Sequence, residues 1–354
     1  MHIEKHLDVI NACRFCFMCR HLAPVGNVTF READTPRGRA LILDKVRMNP
    51  EHLRNPDYVR AIFRSELSAA CRFHCVSHYD EAGLVLAARR DMVEAGVEPE
   101  NVKALAAELQ QQPAPQWDGA AGELVYFVDS RTAETQPGIA AAFRKIMAEN
   151  GLACRTLTGD TGKALWTLGY AAAARKLALG FRDAVRSSGC RTLVTSCPAS
   201  LDAWTHDYPA MDAALDDRVR VLHTSEFLLE LAERGQWKTP APAGGPVCCL
   251  GSDFLKNFLD RGDVPARLLR KLGFTVERFG TNDEESYAVG EGAVVYDRLE
   301  PELVKKMCAR VAALCRDPGR LITVAPYTRH ALSAYSPRPL PVLSLEELLM
   351  ERGV

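Results

Sequence analysis

The chain reads as a mixed fold, α+β with α/β character: an N-terminal α-helical domain over residues 1–110, then two pseudo-repeated α/β domains over 121–238 and 246–354. Three observations predict this. Residues 1 to about 110 are rich in helix formers, with turn punctuation at Asn49-Pro50 and Asn55-Pro56. From residue 123 onward, short apolar strands alternate with amphipathic helices, the pattern of a parallel sheet covered by crossover helices. Two stretches rich in Pro and Gly, QQQPAPQWDGAAGE (110–123) and KTPAPAGGP (238–246), separate the three parts as linkers.

In the first α/β part, ELVYFVDS (123–130) is a strand and GIAAAFRKIMAENG (138–151) a helix closed by Gly151. A long helical stretch from Thr161 to Val185 precedes the strand and loop CRTLVTSCPAS (190–200), and VRVLHTSEFLLELAERG gives a further strand and helix. The order then repeats: strand PVCCLG, helix VPARLLRKLGF, strand GAVVYD, helix LVKKMCARVAALC, strand LITVAP and helix HALSAY. The repeat is one of element order, with only faint identity between the halves.

Composition excludes several function classes. A formal net charge of −1 offers no electrostatic footprint for nucleic acid. The sequence MHIEKHLDVINAC lacks the apolar core of an export signal, and the best apolar run, LGYAAAARKLALGF, is broken by Arg175 and Lys176, so a cytoplasmic protein without a transmembrane segment is expected. Twelve cysteines in that setting are read as thiols or metal ligands, not disulfides.

The strongest motif is NACRFCFMCRHLAP, where Cys13, Cys16 and Cys19 stand at C-x2-C-x2-C spacing. A tight loop of this kind supplies three thiolates to a [4Fe–4S] cubane, and in two-cluster ferredoxins the fourth cysteine of each run serves the other cluster. The second run, SELSAACRFHCVSHYD, places Ser65, Ser68, Cys71 and Cys75 on that spacing. Crossed ligation then makes Cys75 the fourth ligand of one complete cluster. The other cluster would need residues 65, 68, 71 and 23, which are Ser, Ser, Cys and Ala, and is lost. Cys71 is left as a packed core thiol. Zinc on the three loop cysteines with His21, His74 or His78 is the competing metal reading.

Between the runs lies ADTPRGRALIL (33–43). The C-x2-C-x2-C run ending in Pro, the T-P-R-G-R element and the second cysteine run together resemble the iron–sulfur subunits of glycolate oxidase and heterodisulfide reductase, in which a helical ferredoxin domain precedes two cysteine-rich CCG domains. Against that pattern the first α/β half keeps only Cys197: Ser130 stands at the early cysteine position, Asp160-Thr161-Gly162 near the Cys-Cys-Gly position, and Cys197-Pro198-Ala199-Ser200 at the last. The second half keeps Cys248, followed by Cys249, while Ala288-Val289-Gly290 and Ala325-Pro326-Tyr327-Thr328 replace the other motifs. The resemblance therefore implies two degenerate CCG domains. Cys197, Cys248 and Cys249 could form a residual site only if the halves face each other.

The resemblance also implies the function: an electron-transfer iron–sulfur subunit that passes single electrons from a flavoprotein oxidoreductase partner, of the 2-hydroxy-acid dehydrogenase type, to an acceptor. FAD would then reside on the partner subunit, and further redox subunits and a peripheral membrane association through them fit the same picture. Two alternatives stay open: a non-catalytic scaffold with a structural cluster, and a residual thiol or metal-dependent reductase. Arg37 and Arg39 are expected beside the cluster, where their charge would raise its potential. GDTGKALWTLG lacks P-loop spacing, and Asp160 or Thr161 reads as a helix cap. His206 and His330 carry no catalytic assignment, and Cys308 and Cys315 share one helical face as core residues.

Overall fold

A computed structural model describes residues 1–239, 244–280, 283–315 and 320–351, without the side chain of Phe73; part of the expected second linker, 240–243, lies outside the described residues. Up to Leu109 every regular element is helical, the longest being Pro36–Met48, Glu81–Glu94 and Glu100–Leu109. Proline opens the helices at Pro24, Pro36 and Pro56, where its missing N–H costs nothing. Side-chain caps fix the starts: Thr35 accepts from the Gly38 N–H, Asn55 from those of Asp57 and Tyr58, and Asp80 from that of Gly83. Leu43, Ile62, Leu84, Val85 and Met92 fill the space between these helices.

Two sheets follow. The first contains β1 (Gln116–Asp118), β2 (Leu124–Asp129), β3 (Arg155–Gly159), β4 (Thr192–Thr195) and β5 (Arg220–His223), in the order β1-β3-β2-β4-β5. Only β1 is antiparallel. The second contains β6 (Gly245–Leu250), β7 (Phe274–Glu277), β8 (Arg320–Thr323) and β9 (Val342–Ser344), all parallel, in the order β7-β6-β8-β9. Matching β2 to β5 with β6 to β9 gives the same strand order, so the repeat of element order is a repeat of topology. Val125 to Val128 of the central strand β2 are buried, as expected where helices cover both faces. In each sheet the chain leaves the central strand on one side and returns on the other, which opens a crevice at the strands' carboxyl ends.

Four expectations are corrected. GAVVYD is not a strand: Glu291–Ala293 is a tight 3-10 turn and Tyr296–Leu299 a short helix. The reason is tertiary, because a Cβ on Gly292 would come 2.2 Å from the Leu67 carbonyl oxygen, so this backbone is pressed against the second cysteine run and cannot lie in a sheet. The Thr161–Val185 stretch is two helices, Lys163–Leu168 and Ala171–Ser187, parted by Gly169 at φ +97°, where a Cβ would meet the Arg89 backbone at 2.7 Å. The first linker contributes β1, paired to β3. The strands RTLTG and FTVE, short and half polar, escaped the periodicity reading.

The helical segment is seated on the α/β body by buried polar contacts. Tyr296 donates to the Arg64 carbonyl at 2.7 Å, Asn257 to that of Ser68 at 2.6 Å, and the fully buried Arg89 to those of Ile62, Ser65 and Thr167. No helix among the described residues is long and apolar enough to cross a membrane.

Candidate metal centre and the cavity between the sheets

Cys13, Cys16, Cys19 and Cys75, the four thiols of the crossed-ligand reading, line one small pocket together with Arg14, Met18, Arg37, Val76 and Tyr79. Cys71 lines it too, which that reading did not expect. Cys71 and Cys75 bracket a single helical turn, and the Cys75 N–H bonds the Cys71 carbonyl, so the two thiols fall on one face. The first loop begins where Cys13 ends the helix Leu7–Ala12, and Phe15 at φ +50° turns the backbone inward. Leu67, Ala69 and His78 also adopt left-handed conformations, at φ +55°, +54° and +47°. Such backbone strain gathers where a site needs its amides aimed at one point.

The main-chain N–H of Phe15 points at Cys13 and that of Arg37 at Cys19. Burial pushes the Cys19 thiol up to about 11 and raises Cys13, against the pull of these amides. Without a metal these thiols therefore hold their protons, and binding a cation must expel them.

Arg37 belongs to T-P-R-G-R. Its Nε donates to the Phe15 carbonyl at 2.6 Å, its Nη1 to Glu32 at 2.6 Å, and its guanidinium lies 4.7 Å from the centre of the Phe17 ring. Gly38 is required by the same packing, since a Cβ there would stand 1.9 Å from the Glu32 carbonyl oxygen. Arg39, expected beside the same pocket, is instead buried against Glu81 and lies 4.0 Å from Glu66.

The positions that the spacing assigns to a second cluster carry no free thiol set. Ala23, Ser65, Ser68 and Cys71 are all buried, and the two serines are hydrogen-bonded, Ser65 to Glu81 at 3.2 Å and Ser68 to Glu66 at 3.4 Å. The histidines offered for zinc do not line the thiol pocket. His74 is paired with Glu284, and His21 packs edge-on against it. Tetrahedral zinc with bonds of about 2.3 Å would hold its sulfurs about 3.8 Å apart. Among the described residues, only His2, Asp91 and Glu94 bring three such ligand atoms within 4.8 Å of one another. No three of the pocket's thiols form such a group.

The second feature is a cavity of about 500 Å³ at the carboxyl ends of the first sheet, closed from the other side by the second. Ser130, Asp160, Thr161 and Cys197–Ser200 face Ala325–Tyr327 of the second half across it, whereas Ala288, Val289 and Gly290 do not line it. Cys248 and Cys249 do not join Cys197. They lie on opposite faces of β6, Cys248 near Glu277 and Cys249 in a separate cavity. Burial and the nearby Asp129 drive the Cys197 thiol far above its ordinary value, which disfavours the thiolate. Cys308 is core, its thiol donating to the Ala331 carbonyl, and Cys315 ends the same helix half-buried.

Buried charge lies in and near this cavity, and no sequence motif marked these groups as a set. Lys163 is clamped by Asp202 at 2.5 Å and Asp207 at 2.6 Å, so two carboxylates neutralise its ammonium. Asp160, whose carboxylate accepts the Gly162 N–H, is pushed up to about 6 by burial. Glu291 accepts from Ser252 at 2.6 Å and from the Asp253 N–H at 2.8 Å. Desolvation, followed by the charge of Asp253, raises it to about 8. Asp253 and Glu66 are each raised to about 7, chiefly by desolvation. His206 bonds Asp202 at 2.7 Å, and His330 lies 3.8 Å from Asp297 on the cavity wall.

No protein-family model matches the chain. No curated protein matches it either.

Proposed function

We propose that the chain is an electron-transfer protein in which Cys13, Cys16, Cys19 and Cys75 hold one [4Fe–4S] cluster, and that it relays single electrons from a flavoprotein oxidoreductase partner of the 2-hydroxy-acid dehydrogenase type to an acceptor. The observation that carries this reading is the convergence of these four thiols on one pocket, with the amides of Phe15 and Arg37 aimed at two of them. A bound cubane supplies one-electron redox chemistry. The chain's own residues do the rest. The four thiolates bind, the two amides donate to sulfur, Met18, Val76 and Tyr79 limit water, and Arg37 places a positive charge beside the site.

The cavity between the sheets is lined by a single thiol, Cys197, too few for a second thiolate-held cluster. Anaerobic purification with iron and sulfide quantitation and EPR tests the proposal. About four irons per chain and a signal that appears on reduction are expected. No iron, or about eight, would overturn it, and a cluster that never changes redox state alongside its partner would make it a structural element.

A further inference from the structure

All eight large hydrophobic side chains left exposed among the described residues lie between Met1 and Val76, and none belongs to the α/β body. Three of them rise from the two cysteine runs: Phe17 is 63% exposed, Met18 45% and Val76 79%. Met18 and Val76 also line the thiol pocket, and Cys16 between them is exposed. A protein with a well-filled interior that leaves apolar side chains out around one site has a use for them there.

The charge around this patch is one-sided. No Asp or Glu occurs from Val9 to Arg31 or from Leu67 to Tyr79, in a chain whose acidic and basic residues otherwise almost balance. Arg14 and Arg20 are exposed, Arg72 is half-buried, and among the described residues none of the three has a carboxylate within 4.0 Å, although most arginines elsewhere are paired. Two acids beside the runs are paired, Glu32 with Arg37 and Glu284 with His74. His21 and His78, both exposed, add no negative charge.

We propose that this face, an apolar centre of Phe17, Met18 and Val76 rimmed by Arg14, Arg20 and Arg72, is the docking surface for a redox partner that presents an acidic rim around an apolar centre. The proposal rests on the electron-transfer reading and adds the partner's surface chemistry to it. Transient redox encounters use small interfaces, in which complementary charge speeds and orients the approach and an apolar centre brings the redox groups close. Three unpaired guanidiniums lose no ion pair on meeting carboxylates, so partner contacts there are gained without breaking any within the chain.

The test uses the full chain as purified with its iron and, as probe, a flavodoxin, an acidic flavin-carrying protein, with binding followed by fluorescence anisotropy. The expected dissociation constant rises about tenfold between about 20 mM and about 300 mM salt. It rises by about the same factor in the Arg14→Glu, Arg20→Glu, Arg72→Glu triple variant, whereas Arg54→Glu, Arg186→Glu, Arg191→Glu leaves it unchanged. Phe17→Ser with Val76→Ser weakens binding without altering its salt dependence. Absence of binding to the wild-type chain, binding indifferent to salt, or equal weakening by both triple variants would overturn the proposal. Iron content is measured on every sample. Weakened binding with iron retained isolates the face, whereas a wild-type chain without iron refutes the electron-transfer reading and not the docking face.

Discussion

The Nε of Arg37 donates to the Phe15 carbonyl at 2.6 Å, and this one contact ties the T-P-R-G-R helix to the left-handed turn of the first cysteine loop. The same residue's N–H faces Cys19, so the helix start both shapes the loop and supplies a donor to its sulfur. Replacing the side chain leaves the N–H but frees the turn. Arg37→Leu is expected to lose about 1–2 kcal/mol of stability. It should also release iron faster to a chelator and shift the cluster's potential to more negative values; unchanged iron release and potential would remove Arg37 from the positioning role.

Five thiols line a pocket that needs four. Crossed spacing selects Cys75, half-exposed at the pocket wall, and leaves the buried Cys71 as packing. Cys75→Ala should purify with little or no iron, whereas Cys71→Ala should keep about four irons per chain. The reverse pattern in an iron assay would transfer the fourth ligand to Cys71 and break the analogy with crossed ligation.

Gly292 sits where the α/β body meets the second cysteine run, and a Cβ there would overlap the Leu67 and Glu66 carbonyls at 2.2 and 2.8 Å. Backbone atoms on both sides leave no flexible end to yield. Gly292→Ala should cost about 1–3 kcal/mol in denaturant unfolding and loosen iron retention as the run shifts. Gly96→Ala, in open space but at φ +65°, should cost less and leave the iron untouched.

Glu66, Asp253 and Glu291 have folded-state values raised to about 7, 7 and 8, above those of the unfolded chain. A carboxyl raised in this way binds more protons folded than unfolded. Its stabilisation is therefore complete below the unfolded value near 4 and is lost as pH climbs through the folded one. The wild-type chain should lose stability between about pH 5 and about pH 8 from this source. Glu291→Gln should flatten that slope, gaining on the order of 2 kcal/mol on wild type at the upper end and little at the lower. Unfolding free energies at the two pH values check it, and parallel profiles would show that Glu291 is ionised in the folded state.

The sequence alone determined the features that depend on near neighbours. Cysteine spacing marked Cys13, Cys16, Cys19 and Cys75, prolines and caps marked the helix starts, and the alternation of strand and helix marked two α/β repeats, because each reflects backbone geometry over a few residues. Where local preference met close packing, it failed: Val294 and Val295 are good strand formers held out of a sheet by the approach of Gly292 to Leu67. The tertiary structure alone decided that Arg39 turns away from the thiols to Glu81, that Cys71 joins them, that Cys248 and Cys249 never reach Cys197, and that Glu66, Asp253 and Glu291 share one interior. Burial is the physical reason. A carboxylate or guanidinium is an ordinary surface residue in any local window, and only the arrangement of distant segments sets whether it meets water, a partner or neither.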